Sequence, residues 1–209
     1  MKKSKSFIAG IAALLVGISF MLTACPPDGD GSPVVSTTEF VSTNDGWVKF
    51  KTNDPENFDY SFWRYYQHEG DTYELEVKKI SGASNTGYGM IFCADNNSGE
   101  YYLVMITTTG YYRVAKRNST EQTTIDTENT DPANDNGWTE SDTIEKGYNK
   151  VNKIKVVKTD DTFILSFNDE ETDTWTDSSY NHPYIGPYVA INNEQNEDFP
   201  DTPVEVYFK

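Results

Sequence analysis

The stretch from Gly87 to Arg117 (GYGMIFCADNNSGEYYLVMITTTGYYRVAKR) constrains this chain more than any other. It divides into three short runs rich in β-branched and aromatic residues: Gly87–Ala94, Tyr101–Thr107 and Tyr111–Lys116. Asp95-Asn96-Asn97-Ser98-Gly99 and Thr109-Gly110 separate them. Each run is too short for a helix, and the turn residues fall at strand spacing, so the stretch is predicted to be a three-stranded meander. A meander has one face that must be covered, and the rest of the chain is expected to supply a second sheet.

The remaining segments read as strands. Gly46–Thr52 alternates, and Tyr60–Gln67 is strongly aromatic. In Asp71–Ile80, Tyr73, Leu75 and Val77 take one face while Glu74, Glu76 and Lys78 take the other. Asn118–Gly137 is polar and irregular apart from a short strand at Thr123–Asp126; loops of this length are usually functional. Tyr148–Lys158 and Thr162–Asn168 form a hairpin about Thr159-Asp160-Asp161, and Glu170–Trp175 adds a short strand. Pro183–Pro187 is predicted to turn the chain into Tyr188–Ile191, and Val204–Phe208 closes it. No stretch longer than one turn has helical periodicity. The expected fold is all-β, a two-sheet antiparallel sandwich.

The N-terminus reads as an address. Lys2, Lys3 and Lys5 precede an apolar run, Phe7–Phe20, which is shorter than the roughly 20 residues of a comfortable span. The run leads into Leu22-Thr23-Ala24-Cys25, which resembles the lipobox of bacterial lipoproteins. That resemblance implies cleavage before Cys25 and acylation of Cys25, and two or three acyl chains make a stable anchor. Residues 1–24 are thus expected to be a signal peptide, 25–39 the lipidated Cys25 and a flexible Pro/Gly/Asp/Ser-rich linker, and 40–209 the folded domain. The expected location is the bacterial cell envelope, at the outer membrane or cell surface, with the lipid as the membrane contact.

The formal net charge of −16 argues against nucleic acid and against anionic headgroups as partners. Of the two cysteines, Cys25 is committed to lipid, so no internal disulfide is available to Cys93, which reads as a small buried hydrophobe. The two histidines, His68 and His182, lie beside acidic or turn segments with no triad-like context.

The order of strands resembles the concanavalin A-like lectin/glucanase jelly roll, in particular the laminin G-like domains of secreted and lipid-anchored bacterial proteins. The matching positions are Tyr88-Gly89-Met90-Ile91-Phe92, Tyr101-Tyr102-Leu103-Val104 and Gly110-Tyr111-Tyr112-Arg113-Val114-Ala115-Lys116. Downstream, Phe163-Ile164-Leu165-Ser166-Phe167-Asn168 and Ile185-Gly186-Pro187-Tyr188 also match, with Asp169 where a turn glycine is usual. The resemblance implies the fold, which hosts lectins, glycosidases and interaction modules. Its glycosidases carry Glu-x-Asp-x-x-Glu; here Glu171-Thr172-Asp173-Thr174-Trp175-Thr176 lacks the third carboxylate. Calcium sites in relatives make Asp126, Asp131 and Asp135 candidate ligands, and Asp95, Asn96 and Asn97 a second group. Aromatic faces stack on sugar rings, and Trp138, Trp175, Tyr180 and Tyr184 lie at or near predicted loops, which makes them the candidate ligand-binding residues. The pairs Tyr65-Tyr66, Tyr101-Tyr102 and Tyr111-Tyr112 each place one ring on either face. The expectation is a lipid-anchored binding protein that recognises a glycan or a protein without catalysis. The alternatives are a carbohydrate-active hydrolase of the same fold and a structural envelope lipoprotein.

Overall fold

A computed structural model describes residues 37–54, 61–130, 136–191, 199 and 201–209. The signal segment, Cys25, most of the linker, Asp131 and Asp135 lie outside the described residues. Among the described residues there are fifteen strands and no helix. In chain order they are β1 (Thr38–Ser42), β2 (Val48–Thr52), β3 (Ser61–Trp63), β4 (Tyr66–Gln67), β5 (Thr72–Ser81), β6 (Tyr88–Ala94), β7 (Tyr101–Ile106) and β8 (Tyr111–Arg117). They continue as β9 (Gln122–Thr124), β10 (Thr139–Glu140), β11 (Asn152–Thr159), β12 (Thr162–Phe167), β13 (Glu170–Thr176), β14 (Tyr184–Ala190) and β15 (Val204–Phe208).

Two antiparallel sheets result. The first runs β1-β2-β15-β5-β11-β12-β13, and the second runs β10-β8-β7-β6-β14-β3, with β4 on β14 and β9 on β8. The predicted meander β6-β7-β8 is the middle of the second sheet; β6 and β7 are buried throughout, and β8 buries Tyr112, Val114 and Ala115. Between the sheets, alternate side chains from both layers form one core that includes Phe50, Phe92, Tyr102, Val104, Phe163, Leu165, Phe167 and Phe208. Burying such side chains is worth about 1.5–3 kcal/mol each and is the main force joining the layers.

Several details depart from the sequence reading. The aromatic run at 60–67 is broken into β3 and β4 at Arg64-Tyr65, where the carbonyl oxygen of Arg64 lies hard against Gly186 of β14, although both strands keep one register on β14. The segment read as a turn, Pro183–Pro187, is the first half of β14; Pro187 sits within the strand, where its carbonyl accepts from Arg64 N at 3.4 Å. The turn after β12 places both Asn168 and Asp169 in the left-handed region, at φ of 53° and 70°. That backbone explains why glycine suits the second position.

One irregularity matters for the site. Cys93 has φ of 44°, and across β6 and β14 Ile91 pairs with Gly186 while Ala94 pairs with Tyr184. One extra residue on β6 therefore sends both Phe92 and Cys93 to the interlayer core and returns Ala94 to the opposite face. Cys93 donates its thiol to the Tyr73 hydroxyl at 3.1 Å, and burial raises its pKa. It is a buried structural residue, as its sequence setting implied.

Candidate functional site

The second sheet buries a second apolar cluster on the face turned away from the core. Strand alternation builds it. One register row crosses the sheet as Arg113, Met105, Gly89, Tyr188 and Trp63. The next row is Ala115, Leu103, Ile91 and Gly186, and a third pairs Arg117 with Tyr101. Ile91, Leu103, Met105, Ala115, Tyr101 and Tyr188 form the floor, and half-buried Trp63, Tyr65, Trp138 and Tyr184 pack against it. In a two-layer sandwich this outer face ordinarily carries polar side chains, so a continuous aromatic and aliphatic surface here is unusual.

The polar groups on this face are few and placed among the rings. The Arg117 guanidinium carbon lies 5.0 Å from the centre of the Trp63 ring, a cation–π contact. Trp63 Nε1 donates to the Tyr65 hydroxyl at 2.9 Å, Trp63 packs against Tyr101 at 5.9 Å, and Tyr65 meets Tyr184 edge-on at 6.3 Å. Arg113 is held by Thr124, whose hydroxyl accepts from its Nε at 3.0 Å, and burial lowers its pKa. Burial raises the pKa of Tyr188, opposed by a hydrogen bond with Ser61 and by the charges of Arg117 and Arg113. Tyr101 is 0% exposed and its hydroxyl has no hydrogen-bond partner of ordinary geometry. Burial pushes its pKa far up, with the Arg117 guanidinium opposing that shift.

The four aromatic residues chosen from the sequence separate into two pairs. Trp138 and Tyr184 belong to this face. Trp138 is set there by the loop before β10, its ring edge lying over the Cα of Gly87 and beside Met105, where a β-carbon would come within 3.1 Å of it. Trp175 is on the other side of the sheet, 4% exposed in the interlayer core and stacked 5.0 Å from Phe163. Tyr180 packs on Tyr102 at 5.1 Å, also at the core side. The reason is local: β13 points Asp173 and Trp175 inward, and the segment after it is held there by Asp177, which accepts from the Tyr102 hydroxyl and from Lys116 Nζ, both at 2.6 Å. Burial raises the pKa of Asp177, but the Lys116 ammonium and hydrogen bonds from Ser179 and Tyr102 outweigh it and hold the carboxyl well below its usual range.

Sequence reasoning missed Trp63, Tyr188, Arg113 and Arg117, and did not fix which ring of Tyr65-Tyr66 and of Tyr101-Tyr102 faces outward. Their signal was parity: Arg113 and Arg117 share the face of Tyr111 on β8, opposite to core residues Tyr112 and Val114.

The two carboxylates of Glu171-Thr172-Asp173 do not share a face. Glu171 is exposed, whereas Asp173 is 3% exposed and accepts the Tyr112 hydroxyl at 2.6 Å and Asn129 N at 3.2 Å. A shift in register between Leu165 and Ser166 puts the two on different faces. Asp126 is exposed just beyond β9, and among the described residues it joins no group of three or more Asp, Glu, His or Cys side chains placed to share a metal ion. A cavity of about 340 Å³ opens at an edge of the sandwich, lined by Phe40, Leu75, Ile185, Pro187 and Phe208, with His68, Thr72, Glu74 and Lys209 among its polar members. It has the size of a small-ligand site but a single carboxylate.

No protein-family model matches the chain, and no curated protein matches it in sequence. Solved structures do match in fold. The chain is similar to the carbohydrate-binding module CBM66 from Bacillus subtilis, with a TM-score of 0.56 and 14% identity over 83% of this chain and 91% of that one. It is also similar to the β-glucanase of Bacillus licheniformis (TM-score 0.49, 9% identity, 81% and 78% covered) and to a family 7 alginate lyase (TM-score 0.47, 10% identity, 81% and 80% covered). The architecture is a two-sheet antiparallel jelly-roll sandwich, as in that carbohydrate-binding module.

Proposed function

We propose that this protein is a non-catalytic glycan-binding protein whose ligand lies on the outer face of the eight-stranded sheet. The observation that carries the reading is the convergence of Trp63, Tyr65, Tyr101, Trp138, Tyr184 and Tyr188 with Arg113 and Arg117 on one face. Half-buried rings offer flat apolar surface to the C–H face of a sugar, and guanidinium and phenol groups supply donors for hydroxyls or carboxylates. The similarity in fold to a carbohydrate-binding module supports this class of ligand. The incomplete carboxylate set supports binding without hydrolysis.

The lipobox-like Leu22-Thr23-Ala24-Cys25 supports anchoring of this domain to the bacterial envelope by lipid on Cys25. The deciding experiment is a glycan array probed with the purified protein, followed by titration of the best hit. Trp63→Ala or Trp138→Ala should weaken that hit at least tenfold, about 1.4 kcal/mol. Retention of full affinity by both variants, or an array with no hit, would move the reading to a protein ligand.

A further inference from the structure

Asp95, Glu100 and His182 meet at one end of the second sheet, although His182 is some eighty positions away in sequence. Asp95 follows the last residue of β6, Glu100 precedes the first residue of β7, and His182 lies two residues before β14. One ligand atom from each lies within 4.8 Å of the others, and His182 Nε2 is 3.8 Å from Glu100 Oε2. All three side chains are half-buried. The turn that carries the two carboxylates is closed by backbone bonds from Asp95 N to Glu100 O at 2.8 Å and from Gly99 N to Asp95 O at 3.1 Å.

Two further facts set this cluster apart from the ordinary acidic turns of an acidic protein. First, among the described residues neither Asp95 nor Glu100 forms an ion pair with lysine or arginine; the imidazole of His182 is the one basic group in contact. Asn97 and Ser98 donate to Asp95, and the Ser98 hydroxyl also lies 3.0 Å from Glu100 Oε2; the two carboxylates thus share neutral donors but no fixed positive charge, which a divalent ion would supply. Second, the third member is an imidazole brought in from a different loop, which adds a nitrogen ligand where solvated turn acids would have none.

We infer that Asp95, Glu100 and His182 are ligands for a divalent transition-metal ion of the Zn²⁺ type. Imidazole nitrogen with carboxylate oxygens suits zinc, whereas calcium takes six to eight oxygens and has no use for imidazole. Zinc–ligand bonds of ~2.0–2.2 Å place tetrahedral ligand atoms ~3.4 Å apart, so rotamer shifts of about an ångström complete the set. Three protein ligands leave a position open to water or another oxygen donor. Ala94 pairs with Tyr184 beside this point, so the ion stands at the end of the aromatic face. The inference concerns the ion alone and does not depend on the glycan reading.

The test is isothermal titration and native mass spectrometry of the chelator-stripped protein with ZnCl₂, and separately with CaCl₂. One equivalent of Zn²⁺ is expected, weakened at least tenfold in His182→Gln and in Asp95→Asn and unchanged in His68→Gln. A zinc-induced rise in thermal midpoint should vanish in His182→Gln while the midpoint without metal stays put. Absence of Zn²⁺ binding, binding indifferent to His182→Gln, or a site that takes Ca²⁺ and refuses Zn²⁺ each overturns the assignment.

Discussion

Lys79 shows how much a single residue can bias this sandwich. It is 0% exposed on the inward face of β5, and its Nζ donates to the carbonyls of Ala83 at 2.5 Å and Thr86 at 3.2 Å and to the Thr86 hydroxyl. The ammonium also lies 5.8 Å from the centre of the Tyr88 ring. These acceptors tie down the loop before β6, but burial still brings the pKa of Lys79 to about 7 from 10.5. The unfolded chain therefore holds one more proton than the folded one between those two values. Stability should rise with pH through that window, and the cost is fully present below its lower end. The gain from pH 7 to 8.5 is on the order of 1–2 kcal/mol. Above that the raised pKa of Cys93 begins to act in the opposite direction. Urea midpoints across this range check the sign. Lys79→Met should flatten the profile, and a wild-type midpoint that does not climb would remove Lys79 from the account.

At the scale of elements, the aromatic face depends on how β3 and β4 lie against β14. A β-carbon on Gly186 would stand 1.7 Å from the carbonyl oxygen of Arg64, a backbone atom with no rotamer to yield. Gly186→Ala should therefore destabilise the fold by at least the 1–3 kcal/mol typical of overpacking. It should also pull Trp63 and Tyr65 away from the floor, so thermal midpoint and glycan affinity fall together. A variant with wild-type midpoint would mean that β3 is not seated on β14 as described. Gly186 also marks where the sequence became hard to read. The meander β6-β7-β8, strand β5 and the β11-β12 hairpin were legible because alternation and turn residues are local signals. The break at Arg64-Tyr65 and the extra residue at Cys93 arise from pairing between distant strands, and Pro187 disguised a strand as a turn. The site suffered for the same reason. Trp138 and Tyr184 were found because they adjoin turns, but Trp175 was drawn inward by the register of β13. Tyr101, Tyr188, Arg113 and Arg117 were hidden because nothing local says which face of a doubly buried strand is the core.

The described domain is a sandwich within a strongly acidic chain, and this bears on how the protein stays at a membrane. A formal charge of −16 opposes adsorption to anionic headgroups, so electrostatics supplies no attachment. Among the described residues no helix is long and apolar enough to cross a bilayer. If the attachment is the acyl lipid proposed on Cys25, it depends on buried methylenes at ~0.8 kcal/mol each and is indifferent to salt. Cell fractionation separates these possibilities. The wild-type protein should sediment with membranes at both low and high ionic strength and leave them in detergent. Cys25→Ser should appear in the soluble fraction at every salt concentration while keeping the thermal midpoint and glycan affinity of the parent, since no residue of the aromatic face is altered. A Cys25→Ser protein that still sediments, and is released by salt, would show a charge-driven attachment that the acidity of this chain does not explain. A wild-type protein that never sediments would remove the anchor and leave the binding face as the property to pursue.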